Sequence, residues 1–99
     1  MSIDDWRGEI DAIDEELLRL MNRRATLAAE IGAIKTRRGL PICDENRERE
    51  IVARAIRTNQ GPLDDRAVDN IFRRIILESR RVQAQVPPIE SKRASEVAG

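Results

Sequence analysis

The chain contains no histidine and no tyrosine. Without an imidazole that titrates near neutrality, histidine general acid–base chemistry, serine–histidine hydrolysis and histidine-ligated metal sites are all excluded. There is one cysteine, Cys43, so neither an intrachain disulfide nor a multi-thiolate metal site can form. A lone thiol fits a reducing cytoplasm, the compartment expected here. Net charge is also missing. Eighteen Lys plus Arg balance eighteen Asp plus Glu, which leaves no overall field to steer the chain to nucleic acid or a membrane surface. No apolar run approaches the roughly 18 residues that span a bilayer. Residues 1–5 show no basic stretch leading into an apolar core, so no signal peptide is expected.

What is present suits an amphipathic helical protein: 99 residues, 36% charged and 40% hydrophobic, enough for one small domain. Ile3, Trp6, Ile10, Ile13, Leu17, Leu20, Arg24, Leu27, Ile31 and Ile34 recur at alternating steps of three and four. That is the period of a helix burying a narrow stripe against partner helices. Ser2, Asp4 and Asp5 can cap its start, and nothing breaks it before Gly39-Leu40-Pro41. Gly8 and Gly32 lie inside it at about 1 kcal/mol each relative to alanine; Gly32 would permit a close backbone approach. Some 35 residues give a rod of roughly 50 Å. A compact monomer of this size is only about 33 Å across. Two shorter helices cannot cover such a rod, so two chains are expected to pack their long helices together.

Asp44 can cap a second helix with an apolar face of Ile51, Val52, Ala55 and Ile56, ending near Asn59-Gln60-Gly61-Pro62. Asp64 or Asp65 can cap a third, with the stripe Val68, Ile71, Phe72, Ile75, Ile76, Ser79, Val82 and Gln83. The expectation is an all-α chain of three helices in an intertwined homodimer. Residues 1–85 form the domain and residues 86–99 a disordered, polar tail.

Within the apolar stripe one member is charged. A guanidinium at position 24 must be paired or face a polar cavity. A structural salt bridge or a register-setting contact would explain it alone. It is not alone. Arg24, Ala28, Ile31 and Lys35 line one side of the first helix, and Arg7 lies near the stripe's edge. Asp44, Arg47 and Glu48 extend the inward face of the second helix toward its start. Ser79 and Gln83 continue the apolar line of the third. Each has a plain reading: solvated charge for Arg7 and Lys35, first-turn charges for Arg47 and Glu48, a hydroxyl bonded back to its own helix for Ser79, a surface residue for Gln83. Together they put cations, an acid, a serine and an amide at buried-face positions of three helices. Cations converging in an apolar cavity call for a small ligand with more than one carboxylate.

These residues resemble the all-helical, AroQ-type chorismate mutase family over about residues 4 to 85. The motifs are Trp6-Arg7 through Asp14, Leu17-Leu18-Arg19-Leu20-Met21-Asn22-Arg23-Arg24, and Ala29-Glu30-Ile31-Gly32-Ala33-Ile34-Lys35. Pro41-Ile42-Cys43-Asp44-Glu45-Asn46-Arg47-Glu48 and Ile71-Phe72-Arg73-Arg74-Ile75-Ile76 follow, running to Ser79 and Gln83. The resemblance implies rearrangement of chorismate to prephenate, in aromatic amino acid biosynthesis, without metal or organic cofactor. It also implies two equivalent sites per dimer, each of Arg24, Lys35, Asp44, Arg47, Glu48, Ser79 and Gln83 from one chain with Arg7 from the other. By the same resemblance Arg7 and Arg24 hold the two substrate carboxylates, and Lys35 and Gln83 donate to the ether oxygen. Glu48 accepts from the ring hydroxyl with the backbone near Asp44, Ser79 supports the ring carboxylate, and Arg47 positions Glu48 and Asp44. Ile31 and Ile76 wall the pocket. Arg80 departs from the pattern, being apolar in some members, and either alters the pocket wall or points to solvent. The tail after Gln85 matches nothing in the family, and no room is seen for the second enzyme fused to this domain in longer relatives. Three other readings stay open: an isochorismate–pyruvate lyase on the same scaffold, a mutase-like metabolite sensor, and a plain dimerisation domain.

Overall fold

A computed structural model describes residues 1–85 as three helices: α1 (Ile3–Arg38), α2 (Glu45–Thr58) and α3 (Asp65–Gln85). The expected tail, 86–99, lies outside the described residues. Every helix start expected from the sequence is capped. The Ser2 hydroxyl accepts from the Asp5 amide at 3.1 Å while the Asp5 carboxylate accepts from the Ser2 amide at 2.9 Å, a reciprocal capping box. These Ser2 bonds, the backbone one first, hold the Asp5 carboxyl below its ordinary value. Asp44 accepts from the Arg47 amide at 3.0 Å, and Asp64 from the Ala67 amide at 2.8 Å. α1 stops at Gly39, whose φ of 69° is left-handed, and the Leu40 amide closes the end on the Lys35 carbonyl at 2.8 Å.

α3 packs against both other helices, while α1 and α2 scarcely touch. Glu48 meets Arg80 near the start of α2, Val52 and Ile76 line one cleft, and Ala55 and Thr58 line another with Phe72. The two helices therefore run antiparallel. Against α1, α3 covers a different kind of face. The buried α1 residues are Ala28, Gly32 and Ala33. At Gly32 the approach is closest, since an added Cβ would lie 2.9 Å from both Cα and Cβ of Gln83. The glycine that weakens α1 as a helix is thus what admits α3.

The core is small: Ala28, Ala33, Val52, Val68 and Ile76 are its buried apolar members among the described residues. The apolar members of the α1 stripe are not in it. From Ile3 through Ile34 they lie between 37% and 69% exposed. In a single chain only Arg24 of that stripe is half-buried. Within one chain the stripe is uncovered, as expected of a rod that two short helices cannot cover, and α3 sits on the neighbouring, small-residue face. Burying a large aliphatic side chain contributes roughly 1.5–3 kcal/mol, so a stripe of this size left in water forfeits much of what would stabilise so small a domain. The shape agrees: the extents are 53 × 36 × 16 Å and the radius of gyration 17.2 Å, against about 13 Å for a compact domain of this length.

Candidate active site

Arg24 enters from α1 and Ser79 from α3. The Arg24 guanidinium donates to the Ser79 hydroxyl, which in turn donates to the Ile75 carbonyl at 3.0 Å. Ser79 does bond back to its own helix through its hydroxyl hydrogen, and its oxygen accepts from the arginine and so aims it. No described carboxylate pairs with Arg24. Burial, and after it the nearby charge of Arg47, push the guanidinium below its ordinary value. A cation held half-buried beside another cation is a place prepared for an anion. Arg24 and Arg47 line one cleft of about 280 Å³ with Ile51, Ala55 and Phe72. The Arg47 side chain itself reaches Glu50, 2.7 Å away on its own helix, and only its backbone amide engages Asp44. It does not meet Glu48, whose partner lies elsewhere.

Lys35 leaves the last turn of α1 and donates to the Ile42 carbonyl at 3.1 Å. That bond ties α1 to the α1–α2 turn and sets the ammonium beside the start of α2, in a cleft of about 460 Å³ shared with Pro41, Cys43 and Asp44. Its charge reaches Glu48, one helical turn inside α2. Glu48 is 18% exposed at its side chain and pairs with Arg80 through both carboxylate oxygens, the Arg80 Nε bond measuring 2.6 Å. The Arg80 bonds hold the Glu48 carboxyl below the ordinary range against the opposing effect of burial; the charges of Arg80 and Lys35 act with them, and that of Asp44 against them. Glu48 in turn holds the Arg80 guanidinium above its usual value.

Gln83 packs on Gly32, and its Oε1 is buried without a donor among the described residues. Oxygen and NH2 of an amide occupy near-equivalent positions, so a half-turn presents a donor at the same point. An unsatisfied buried amide beside Lys35's helix is a group awaiting a partner.

Of the residues singled out from sequence, Arg24 is joined to Ser79 and set beside Arg47, and Lys35 is set beside Asp44 and Glu48. Gln83 stands between these pairs on the α1–α3 contact. Ile76 is buried at the α2–α3 cleft. Ile31 remains half exposed. Arg7 stands apart on the uncovered half of α1, 74% exposed at its side chain, with only Asp4 at 3.9 Å. Sequence reasoning had Arg80 as a departure and missed it as Glu48's partner. The signal was there: Phe72, Ile76 and Arg80 follow four-residue steps, so all three share the face that α3 turns to α2.

A family profile described as chorismate mutase type II matches residues 6–84. A bifunctional chorismate mutase/prephenate dehydratase of Aquifex aeolicus is 47% identical over 76 residues, 73% of this chain and 21% of that one. The chain thus spans about a fifth of the length of such curated relatives. Among solved structures, a chorismate mutase of Thermus thermophilus superposes with a TM-score of 0.82 at 35% identity, covering 84% of this chain and 94% of that one. A Helicobacter pylori chorismate mutase in complex with prephenate gives 0.78 at 30% identity, with 85% and 91% covered.

Proposed function

This chain belongs to the type II chorismate mutase family, and from that premise we propose that it rearranges chorismate to prephenate by an intramolecular [3,3] shift. The observation that carries the reading is Arg24: a half-buried guanidinium aimed by Ser79, next to Arg47, with no described carboxylate to neutralise it. Such a site binds an anion, and a substrate with two carboxylates offers one to Arg24 and leaves one for a second arginine. Lys35 and Gln83 supply the next element. The shift needs no covalent intermediate and no proton transfer, so the barrier falls in two ways. The compact conformer is held in place, and fixed donors stand where the breaking ether bond gathers negative charge. Lys35 provides the charge and the Gln83 amide the hydrogen bond. Glu48 accepts from the ring hydroxyl near the start of α2, where Asp44 caps the helix. Arg47 adds positive potential, and Ile31 and Ile76 keep water from the ring.

We infer further that two chains pair along α1. The bare stripe from Ile3 to Ile34 supports this, as does Arg7, whose exposed side chain meets only Asp4 one turn away. Pairing would cover the stripe and carry Arg7 into the partner's site. No described helix is long and apolar enough to cross a membrane, and we place the enzyme in the cytoplasm. The direct test is spectrophotometric loss of chorismate with prephenate identified as product, run beside isochorismate. Chorismate left intact would overturn the mutase reading, and pyruvate released from isochorismate alone would favour the lyase.

A further inference from the structure

α3 turns consecutive residues to different helices. Ser79 faces α1 and holds Arg24; Arg80, about 100° further round, faces α2 and holds Glu48. The Arg80 fork donates to both Glu48 oxygens, Nε to Oε2 at 2.6 Å and Nη2 to Oε1. This ion pair joins two helices, whereas those of Arg19, Arg47, Arg73, Arg74 and Arg81 each stay within one helix, three or four residues apart. A carboxylate has about four lone-pair sites, so a two-pronged grip leaves sites for a further donor while fixing the plane of the group. We propose that Arg80 is a positioning residue for the rearrangement: gripping both carboxylate oxygens, it orients Glu48 from the α3 side as the acceptor for the substrate's ring hydroxyl. The proposal rests on the mutase reading above.

The groups facing Glu48 come from every neighbouring element. Arg80 approaches from α3, Lys35 from α1, Asp44 from the cap of α2, and the Cys43 thiol from the turn at 4.0 Å. Glu45 and Cys43 also act on Arg80. Lys35 is already bound to the Ile42 carbonyl and is assigned to the ether oxygen, and Asp44 repels a second negative charge. Arg80 is therefore the group that secures Glu48. Its side chain is 42% exposed, so it grips Glu48 from the rim and needs no place in the substrate cavity. Protonating Glu48 would turn an acceptor into a donor and forfeit the hydroxyl contact. Removing Arg80 should bring that loss to a higher pH.

The experiment has two arms. In the first, glutamate carboxyl carbons are followed by NMR in the unliganded protein, with the Glu48 signal identified by its loss in Glu48→Gln. Arg80→Ala should move the Glu48 titration upward, and Arg80→Lys should leave it between the two. In the second, kcat/KM for chorismate is profiled against pH. Arg80→Ala should lower it roughly tenfold near neutrality, the scale of one charge-assisted hydrogen bond, and shift the acid limb to higher pH. Titration of the substrate's own carboxyls is common to all variants and cancels. Arg80→Lys should recover the limb more fully than the rate, because an ammonium brings charge without the fork. Arg73→Ala, in the same cleft but paired with Asp69 on its own helix, should alter neither arm. If alanine at 80 unfolds the chain, Arg80→Gln replaces it. A Glu48 titration unmoved by loss of Arg80 overturns the proposal, as does an unmoved acid limb in an enzyme that turns over chorismate. Wild-type protein inert toward chorismate overturns the mutase reading instead, and the NMR arm would still report whether the pair exists.

Discussion

The two halves of α1 are built from different residues for different neighbours. Residues 3–20 carry Ile3, Trp6, Ile10, Ile13, Leu17 and Leu20, and every residue in that stretch is exposed. Residues 24–35 carry Ala25, Ala28, Gly32 and Ala33 on the face that α3 covers, with Arg24 and Lys35 at its ends. Small side chains let a helix of the same chain approach closely, and the polar groups at that contact become fixed. Large side chains with nothing over them contribute nothing until another surface arrives. On the proposed pairing, the first half is the interface between chains and the second half is the scaffold of the proposed site.

The sharpest way to break this contrast is to charge the first half. Ile13→Glu with Leu17→Glu alters no residue of the Arg24–Ser79 or Lys35–Ile42 contacts. The expected result is nevertheless complete: a monomeric species by sedimentation, loss of a cooperative melt and no measurable turnover. Melting of the unaltered protein should also rise with its concentration, as for any fold that depends on association. A doubly charged variant that still assembles and turns over would mean the bare stripe has no partner.

The second half is tested at Lys35. Removing one preorganised donor to a developing oxyanion costs about 10² to 10³ in turnover. Lys35→Ala should fall by at least that much with assembly intact, while Arg81→Ala, whose side chain pairs only with Glu78 on its own helix, should change little. Steady-state kinetics of the two variants decides it, and near-normal turnover by Lys35→Ala removes the proposed role.

Joining the halves gives a smaller but more specific effect. Arg7 and Lys35 lie at opposite ends of α1, yet the proposed pairing puts them in one site. Arg7→Ala and Lys35→Ala chains, each inactive, should regain activity when mixed and allowed to exchange. Half of the dimers would then be mixed, each with one intact site, so about a quarter of the original activity should return, as the two-fold symmetry of the pairing requires. No recovery after proven exchange would confine Arg7 to its own chain.

Legibility from sequence followed the range of the interaction. The caps at Ser2, Asp44 and Asp64 and the break at Gly39-Leu40-Pro41 were readable because each depends on residues a few positions away. The stripe on α1 was readable as a period, but a period does not say which helix covers it. α3 chose the small-residue face next to it. Arg24 and Ser79 were readable as misplaced polar groups, and burial explains both. The Glu48–Arg80 pair was not read, because it needs the antiparallel register of α2 on α3, fixed by Val52 and Ile76 between them. Arg47 was given to Glu48 and Asp44. Its guanidinium instead took Glu50, three residues on, where little conformational freedom is lost in reaching a partner.

The mildest test uses the two glycines inside α1, one in each half. Both cost the helix about 1 kcal/mol relative to alanine, but their surroundings differ. Nothing lies within 4 Å of a Cβ built on Gly8, whereas one built on Gly32 would meet the Gln83 backbone at 2.9 Å. Gly8→Ala should therefore stabilise by about 1 kcal/mol, raising the melting temperature by roughly 4–8 °C for a domain of this size. Gly32→Ala gains the same helix propensity but must push α3 away, and overpacking of that kind costs about 1–3 kcal/mol. The net effect should be a loss of up to about 2 kcal/mol. Turnover should fall with it, because the displaced element carries Gln83. A Gly32→Ala protein as stable and as active as its parent would mean that α1 and α3 can part without harm, and that close contact between small residues does not set the position of the Gln83 amide.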